Sequence, residues 1–458
     1  MLEVSVKRIA EITGGEFISS APDSIVEGFS IDSRAVREGQ FFIALNGKNF
    51  NGHDFVEHAL KSGAKGVIVE KNSNVKIGER DMPVITVNDT YQAMSKLAGW
   101  SRKQRNIPII CITGTNGKTT VKDMLSFILS SKYNVLFSKR SYNNIVGLSL
   151  TLLELDKLHD IAVLEIGSNH PGEIKELAEM ACPDVGIITN IGNGHLEFFG
   201  NKDAVFFEKT SLINVMAEKG ALFLGGDDIY LRKLRAFSAQ NKFYGCSADC
   251  DFIIDKIKQQ DEGYTFFVNG MEFMIAVDGV HNVHNAVAAI ATALYLGMGH
   301  EEIRVRLKDF SLRGMRLQKI RIHGVTFIND AYNSNPDSFE AALKTLQEVS
   351  GKDKKGIVAG DMIELGEEAE KFHRMIGKSI ADKGFDFLVV LGERAGIIAD
   401  AAYQAGMNKD SIFYASDHKH AAEIVRENVS MDSVVLVKGS RELKMEEVIE
   451  CFTNCCIL

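Results

Sequence analysis

Short runs of consecutive apolar residues, each broken by glycine or a polar turn and followed by apolar positions spaced three and four apart, recur along this chain. The clearest is Ile109-Ile110-Cys111-Ile112, followed after a glycine-rich turn by Val121, Met124, Leu125, Ile128 and Leu129 on one helical face. Similar runs at 161–166, 185–189 and 221–224 are separated by helical pattern. Strands that are apolar throughout suit a parallel sheet covered on both faces, so a central domain over 108–312 is expected as a doubly wound, mostly parallel sheet. Within it a smaller β-rich insert is expected over 243–277, and a helix over 283–294 stopped by Gly297. Runs at 325–328, 356–359, 387–391 and 433–437 predict a Rossmann-like C-terminal domain over 313–458. Residues 1–88, with strands at 41–45 and 66–69, read as a small N-terminal α/β domain, and 89–107 as a linker helix. The expected class is α/β in three domains, the central one of P-loop type.

Composition narrows the function classes. Charged residues at 25% and hydrophobic residues at 45% describe a globular chain. A net charge of −9 without a basic stripe argues against a nucleic-acid partner. No window approaches the ~18 apolar residues that span a bilayer, and the N-terminus lacks a signal-peptide pattern. Seven scattered cysteines suit reduced thiols, so a cytoplasmic location is expected. The final four residues, Cys455-Cys456-Ile457-Leu458, match a prenylation box formally, but no polybasic run precedes them and lipidation is not expected. Cys246 and Cys250 have no second ligand pair nearby in the sequence, so their spacing predicts no zinc site.

The turn Gly114-Thr115-Asn116-Gly117-Lys118-Thr119-Thr120 lies between a strand and a helix. Such a turn aims backbone N–H groups and a helix N-terminus at one spot, which suits phosphate. Lys118 then meets the β- and γ-phosphates, and the Thr119 hydroxyl meets Mg²⁺. Ile112 stands where the full Walker pattern has glycine, and the bland alternative is a tight turn whose lysine faces water. Other polar residues occupy strand ends, where open parallel sheets gather ligands. Glu165 reads as a Mg²⁺ ligand beside a triphosphate, or else as a helix cap. His195 reads as a second metal ligand or a satisfied loop histidine. Lys209 sits in an apolar helical stretch able to lower its pKa, although most such lysines are solvated. The 329–336 loop, Gly360-Asp361-Met362 and Lys438-Gly439-Ser440-Arg441 form three polar loops on one rim, a binding edge.

In their order and spacing these segments resemble the Mur ligases of peptidoglycan synthesis. The matching segments are Asp32-Ser33-Arg34, Gly52-His53-Asp54-Phe55, residues 114–120, Ser141-Tyr142-Asn143-Asn144, residues 165–174, His195-Leu196-Glu197, His281-Asn282 with Asn285-Ala286, and residues 329–336. Gly360-Asp361-Met362, Glu364-Leu365-Gly366 and residues 437–441 complete the set. The resemblance implies an ATP-dependent ligase that phosphorylates the terminal carboxylate of a UDP-N-acetylmuramoyl-tripeptide. The amine of D-alanyl-D-alanine then attacks the acyl phosphate. It implies ATP contacts from residues 114–120, Asn285, Arg316 and Asp330, and substrate contacts from Ser33, Arg34, Asn143, Asn144, Asp361, Ser440 and Arg441. It also implies two Mg²⁺ ions on Thr119, Glu165, His195 and a carbamylated Lys209, with Lys118, Lys209, His195 and Arg316 as the catalytic set. A monomer is expected. Departures are Ser211 in place of the glutamate of the usual Lys-x-Glu, Gly194 in place of alanine, and Ser149 in place of proline. The rivals are a sister amide ligase, such as one adding the third residue or a folylpolyglutamate synthase, and a nucleotide-driven binding switch. Nothing in the sequence chooses lysine or diaminopimelate as the third residue of the peptide.

Overall fold

The computed structural model describes residues 3–17, 23–47, 49–73, 75, 82–139, 141–217, 220–237, 240–312, 314–349 and 354–454. The expected domain start at 313 and the 455–458 tail lie outside the described residues.

Three main sheets organise the chain. The central one has nine strands. Seven of them, Val135–Phe137, Ile161–Glu165, Ile109–Thr113, Val185–Ile188, Ala221–Gly225, Asn241–Gly245 and Phe252–Gln259, run parallel in that spatial order. Alternation within the apolar run decides which face each side chain covers. Ile110 and Ile112 pack under the Lys118–Leu129 and His281–Tyr295 helices with Val121, Met124 and Ala286. Ile109 and Cys111 pack on the other side with Met94 and Leu97 of the Thr90–Lys103 helix and Leu148 and Leu152 of Ile145–Leu153. A strand buried on both sides cannot afford polar residues, which is why these runs were visible. Residues 243–277 form no separate insert. They extend the same sheet, first in parallel and then through the antiparallel edge strands Tyr264–Val268 and Met271–Ile275.

The six-stranded C-terminal sheet runs Gln318–Ile322, Val325–Asp330, Val434–Lys438, Lys355–Gly360, Phe387–Leu391, Ile412–Tyr414, with only the first strand antiparallel. A five-stranded N-terminal sheet includes the parallel strands Phe41–Ile43, Gly66–Glu70 and Val84–Val87. Among the described residues no helix is long and apolar enough to cross a membrane.

Ile109–Thr113 is the topological switch point. Chain order moves to one side of it through Ile161–Glu165 and to the other through Val185–Ile188. Crevices open at the carboxyl ends of strands at such points. Here the crevice is closed over by the carboxyl edge of the C-terminal sheet. Asn335 Nδ2 donates to Asn116 Oδ1 at 2.8 Å, Asn193 N donates to Asp337 Oδ2 at 2.6 Å, and the Tyr332 hydroxyl bonds Ser141 Oγ.

Candidate active site

Between the two sheets lies a cavity of about 1130 Å³, lined by residues 115–120, Glu165, His195, Asn285, Arg316 and Asp330 among others. Its floor is the phosphate-type loop. Gly114 and Gly117 adopt φ of +135° and +85°. A Cβ on Gly114 would stand 2.0 Å from Thr189 Oγ1, and one on Gly117 would stand 2.3 Å from Asn285 Oδ1. Both positions therefore need glycine for space as well as for backbone angle. The loop is braced from below, because Thr115 N donates to Asn190 O and Asn116 N to Asn190 Oδ1. The first amides of Lys118–Leu129 have no intrahelical acceptor and face the cavity, the arrangement that suits an anion. Lys118 Nζ folds back onto the carbonyls of Gly114 and Thr115, at 2.9 and 3.0 Å. Burial lowers its pKa against the opposing pull of Glu165. Arg316 comes from the C-terminal side, stacks over the Tyr332 ring at 4.0 Å and donates to Thr119 Oγ1 at 2.9 Å.

Glu165 ends its strand and is 1% exposed. Oε1 accepts a hydrogen bond from Asn143 Nδ2 at 2.8 Å, whereas Oε2 has no hydrogen-bond partner among the described residues. A buried carboxylate oxygen left in this state is costly, and a hard cation satisfies it. The donor set therefore fits Mg²⁺ on Glu165 and the Thr119 hydroxyl. The helix-cap alternative for Glu165 does not hold, since the next helix, Glu173–Ala181, is capped by the Glu208 carboxylate on the amides of Gly172 and Ile174.

His195 has a left-handed backbone, φ +55°. Its Nδ1 lies 2.5 Å from Glu364 Oε2, a carboxylate contributed by the C-terminal sheet's side of the cavity. That hydrogen bond holds Glu364 below the usual carboxylate range. A carboxylate gripping Nδ1 leaves Nε2 free and fixes the ring, the usual support for a metal-bound imidazole. Lys209 ends the Lys202–Thr210 helix, 2% exposed, with Nζ 2.8 Å from Ser168 Oγ. Burial, helped by the positive charge of Lys118, lowers its pKa to about 7.

Asn285 is buried on the first turn of its helix, with Nδ2 donating to Asn282 Oδ1 at 2.9 Å. Asp330 Oδ2 accepts from the buried Lys438 at 2.5 Å, and its Oδ1 accepts from Leu317 N at 3.1 Å. Ser440 and Arg441 line the cavity. Ser440 Oγ accepts from Ile363 N, and Arg441 pairs with Glu446 at 2.5 Å. Asn143 and Asn144 line it too, but the Asn144 side chain caps the Ile145–Leu153 helix through Gly147 N.

Three expected substrate residues are not brought to this cavity. The Asp361 carboxylate accepts from Arg394 N at 3.0 Å and packs into the turn at Gly392, so it braces a turn instead. Ser33 is buried in the N-terminal unit, and Arg34 is exposed and forked onto Asp32 at 2.9 and 2.8 Å. Sequence reasoning in turn passed over Glu364, Lys438, Asn190 and Ser168 as individual site residues. A lysine closing an apolar strand at 434–438 was the available signal for one of them.

A phosphate-type loop facing a second nucleotide-fold sheet, with a half-satisfied carboxylate between them and a softened lysine buried behind Ser168, defines a nucleotide-dependent group-activating enzyme. The model of the Mur ligase middle domain matches residues 112–293. That of the Mur ligase glutamate ligase domain matches 315–441, and that of the Mur ligase family catalytic domain matches 25–102. The UDP-N-acetylmuramoyl-tripeptide–D-alanyl-D-alanine ligase of Bacillus subtilis is 36% identical over 98% of both chains. A crystal structure of MurF from Acinetobacter baumannii superposes with a TM-score of 0.89, at 28% identity and 99% coverage of both chains. The structure of MurF ligase from Thermotoga maritima in complex with ADP follows with a TM-score of 0.82, at 27% identity, covering 93% of this chain and 97% of that one. The chain belongs to the Mur ligase family.

Proposed function

We propose that this chain is the ATP-dependent ligase that joins D-alanyl-D-alanine to the terminal carboxylate of UDP-N-acetylmuramoyl-tripeptide. The observation that carries the reading is the cavity in which the phosphate loop and the half-satisfied Glu165 face Arg316 across the seam, with the softened Lys209 buried just behind the cavity-lining Ser168. The full-length likeness to ligases of that name supplies the substrates.

A carboxylate resists attack by an amine because its carbonyl is electron-rich and its leaving group poor. Transfer of the γ-phosphoryl group to the peptide carboxylate gives an acyl phosphate and ADP. The D-alanyl-D-alanine amine then attacks, and inorganic phosphate leaves. Two anions meet in the first step, so positive charge has to be in place before they approach. Lys118 and the first-turn amides take the β- and γ-phosphates, and Arg316 swings from Thr119 to the γ-phosphate. Asn285 holds the adenine end. Two Mg²⁺ ions, one on Thr119 and Glu165 and one on His195 and Lys209 carbamate, would supply further charge neutralisation when bound.

Lys209 suits the carbamate role physically. A lysine whose pKa is lowered to about 7 is in substantial part a free amine in neutral solution, and the free amine is the form that adds CO₂. The anion so formed would stand in for the carboxylate missing at Ser211. Glu364 keeps His195 in its metal-binding orientation, Ser440 and Arg441 meet the incoming dipeptide, and Asn143 orients Glu165. Ser33 and Arg34, away from the cavity, take the UDP-sugar end. Substrates of this kind place the enzyme in the cytoplasm.

The test is a substrate-omission assay. Phosphate release is expected to require both UDP-muramoyl-tripeptide and D-alanyl-D-alanine, with one pentapeptide formed per phosphate. ATP turnover indifferent to either peptide would favour the nucleotide switch and overturn the reading.

A further inference from the structure

At the edge of the nucleotide cavity three side chains converge that none of the proposed chemistry uses. Asp227 lies in the turn after Ala221–Gly225, Cys246 directly follows the neighbouring strand Asn241–Gly245, and His284 stands on the first turn of His281–Tyr295. Their ligand atoms all lie within 4.8 Å of one another. His284 Nε2 is 3.1 Å from Asp227 Oδ2 and 3.8 Å from Cys246 Sγ. Neighbouring donors around a tetrahedral zinc stand roughly 3.3–3.6 Å apart, given Zn–N and Zn–O near 2.0–2.2 Å and Zn–S near 2.3 Å. The two separations made by His284 are thus within a few tenths of an ångström of that geometry before any ion binds, and the carboxylate and thiol of Asp227 and Cys246 lie within 4.8 Å of each other.

The surrounding contacts orient each ligand. Asp227 Oδ1 accepts from Ser247 N and Ser247 Oγ at 3.0 and 2.9 Å, and Oδ2 accepts from Cys246 N at 2.8 Å. A Cβ on Gly245 would lie 2.6 Å from Asp227 Oδ2, so only glycine lets the strand end approach the carboxylate this closely. His284 Nδ1 is 3.5 Å from Val280 O, a placement that turns Nε2 toward the other two ligands. In the cation-free protein burial opposes a charged ring, but the hydrogen bond to Asp227 and the contact with Cys246 outweigh it and hold His284 up at about 9. Cys250 takes no part. Burial pushes its thiol up to about 11 and it packs under Gly226.

We propose that Asp227, Cys246 and His284 form a binding site for a soft or borderline divalent cation of the Zn²⁺ type. A nitrogen, a sulfur and an oxygen ligand favour such an ion over Mg²⁺, which demands oxygen. Metal binding needs the thiolate and a neutral imidazole, so protons held on Cys246 Sγ and His284 Nε2 leave to solvent. The ligands come from 227, 246 and 284, so the site was invisible to a reading of the Cys246–Cys250 spacing. Asp227 and His284 also line the nucleotide cavity, and His284 adjoins Asn285, so an occupied site fixes the turn that presents Asn285.

The test uses Co²⁺ as a spectroscopic stand-in on metal-free, full-length protein without nucleotide or peptide. A thiolate-to-cobalt charge-transfer band and strong visible bands of four-coordinate Co²⁺ are expected, both displaced by Zn²⁺. Cys246→Ser, at an exposed position, should abolish the charge-transfer band while leaving the circular dichroism unchanged. His284→Gln should weaken Co²⁺ binding at least about tenfold. A cobalt spectrum lacking the charge-transfer band, or one that Cys246→Ser leaves intact, would overturn the site. Because no ligase substrate is present, this result stands apart from that of the omission assay.

Discussion

Glu165 and Asp330 each close a parallel strand on the rim of one cavity, one from the central sheet and one from the C-terminal sheet, yet their surroundings are opposite. Asp330 has both oxygens engaged, one by the buried Lys438 and the other by Leu317 N. Glu165 has one oxygen on Asn143 and the other bare. The same division runs along both rims. The central sheet's side holds Lys209, its pKa lowered to about 7, and Lys118, whose pKa burial also lowers. On the opposite side Glu364 and Arg441 already have charged partners. A group left short of partners in a buried site binds what arrives, whereas a group fully paired in the resting protein holds the framework. The central rim is the receiving half of the site and the C-terminal rim is the bracing half.

Substitutions can break this division, beginning with the receiving half. Lys118→Ala removes the cation above the phosphate loop and should lower kcat by about 10³-fold, measured as phosphate release under saturating substrates. A nearly normal rate would dissolve the whole scheme. Glu165→Gln and Asp330→Asn then form a matched pair. The first deletes a charge that lacks one partner, so activity should fall about 10²-fold while the urea midpoint holds steady or rises. The second leaves Lys438 buried without its counter-ion and should cost about 3 kcal/mol in urea unfolding. If both lost stability equally, the two rims would not differ in the way described.

Lys209 offers a pH-dependent version of the same contrast. Its folded pKa of about 7 lies below the value near 10.4 of an unfolded lysine. Between those values the unfolded chain holds the proton and the folded chain does not, so stability rises with pH across that window and is flat below it. The unfolding free energy of the wild type, taken relative to Lys209→Met, should therefore climb from pH 7 towards 10. In CO₂-depleted buffer, where Lys209 stays an amine, a flat difference would show that it is not desolvated. The smallest effect is expected at Asn144, where alanine removes a helix cap and should cost about 1 kcal/mol of stability.

Much of this was legible in the sequence because burial on both faces forces continuous apolar runs. The runs at 109–112, 185–189, 387–391 and 433–437 all became strands, and the turn between 113 and 118 fell where its glycines suggested. Edge strands escaped notice. Gln318–Ile322 is half in solvent and reads as mixed polarity, and Ile412–Tyr414 is only three residues long. Side-chain partnerships across the seam were the least visible. His195 with Glu364 joins positions 169 apart, and Arg316 with Thr119 joins positions 197 apart, so no local pattern records them. Asn144 shows the converse. Its place in a motif suggested the substrate, while its spacing to Gly147 was that of an ordinary helix cap.

The two loop glycines bear on how this protein could escape a competitor of its nucleotide. At 114 the smallest added side chain meets Thr189 at 2.0 Å, and at 117 it meets Asn285 at 2.3 Å. Any other residue there is strained at these backbone angles and must displace the Thr189 or Asn285 side chain. A compound that drew its grip from the backbone amides here would face a surface closed to point-mutational resistance, and escape would have to come from the side chains above it.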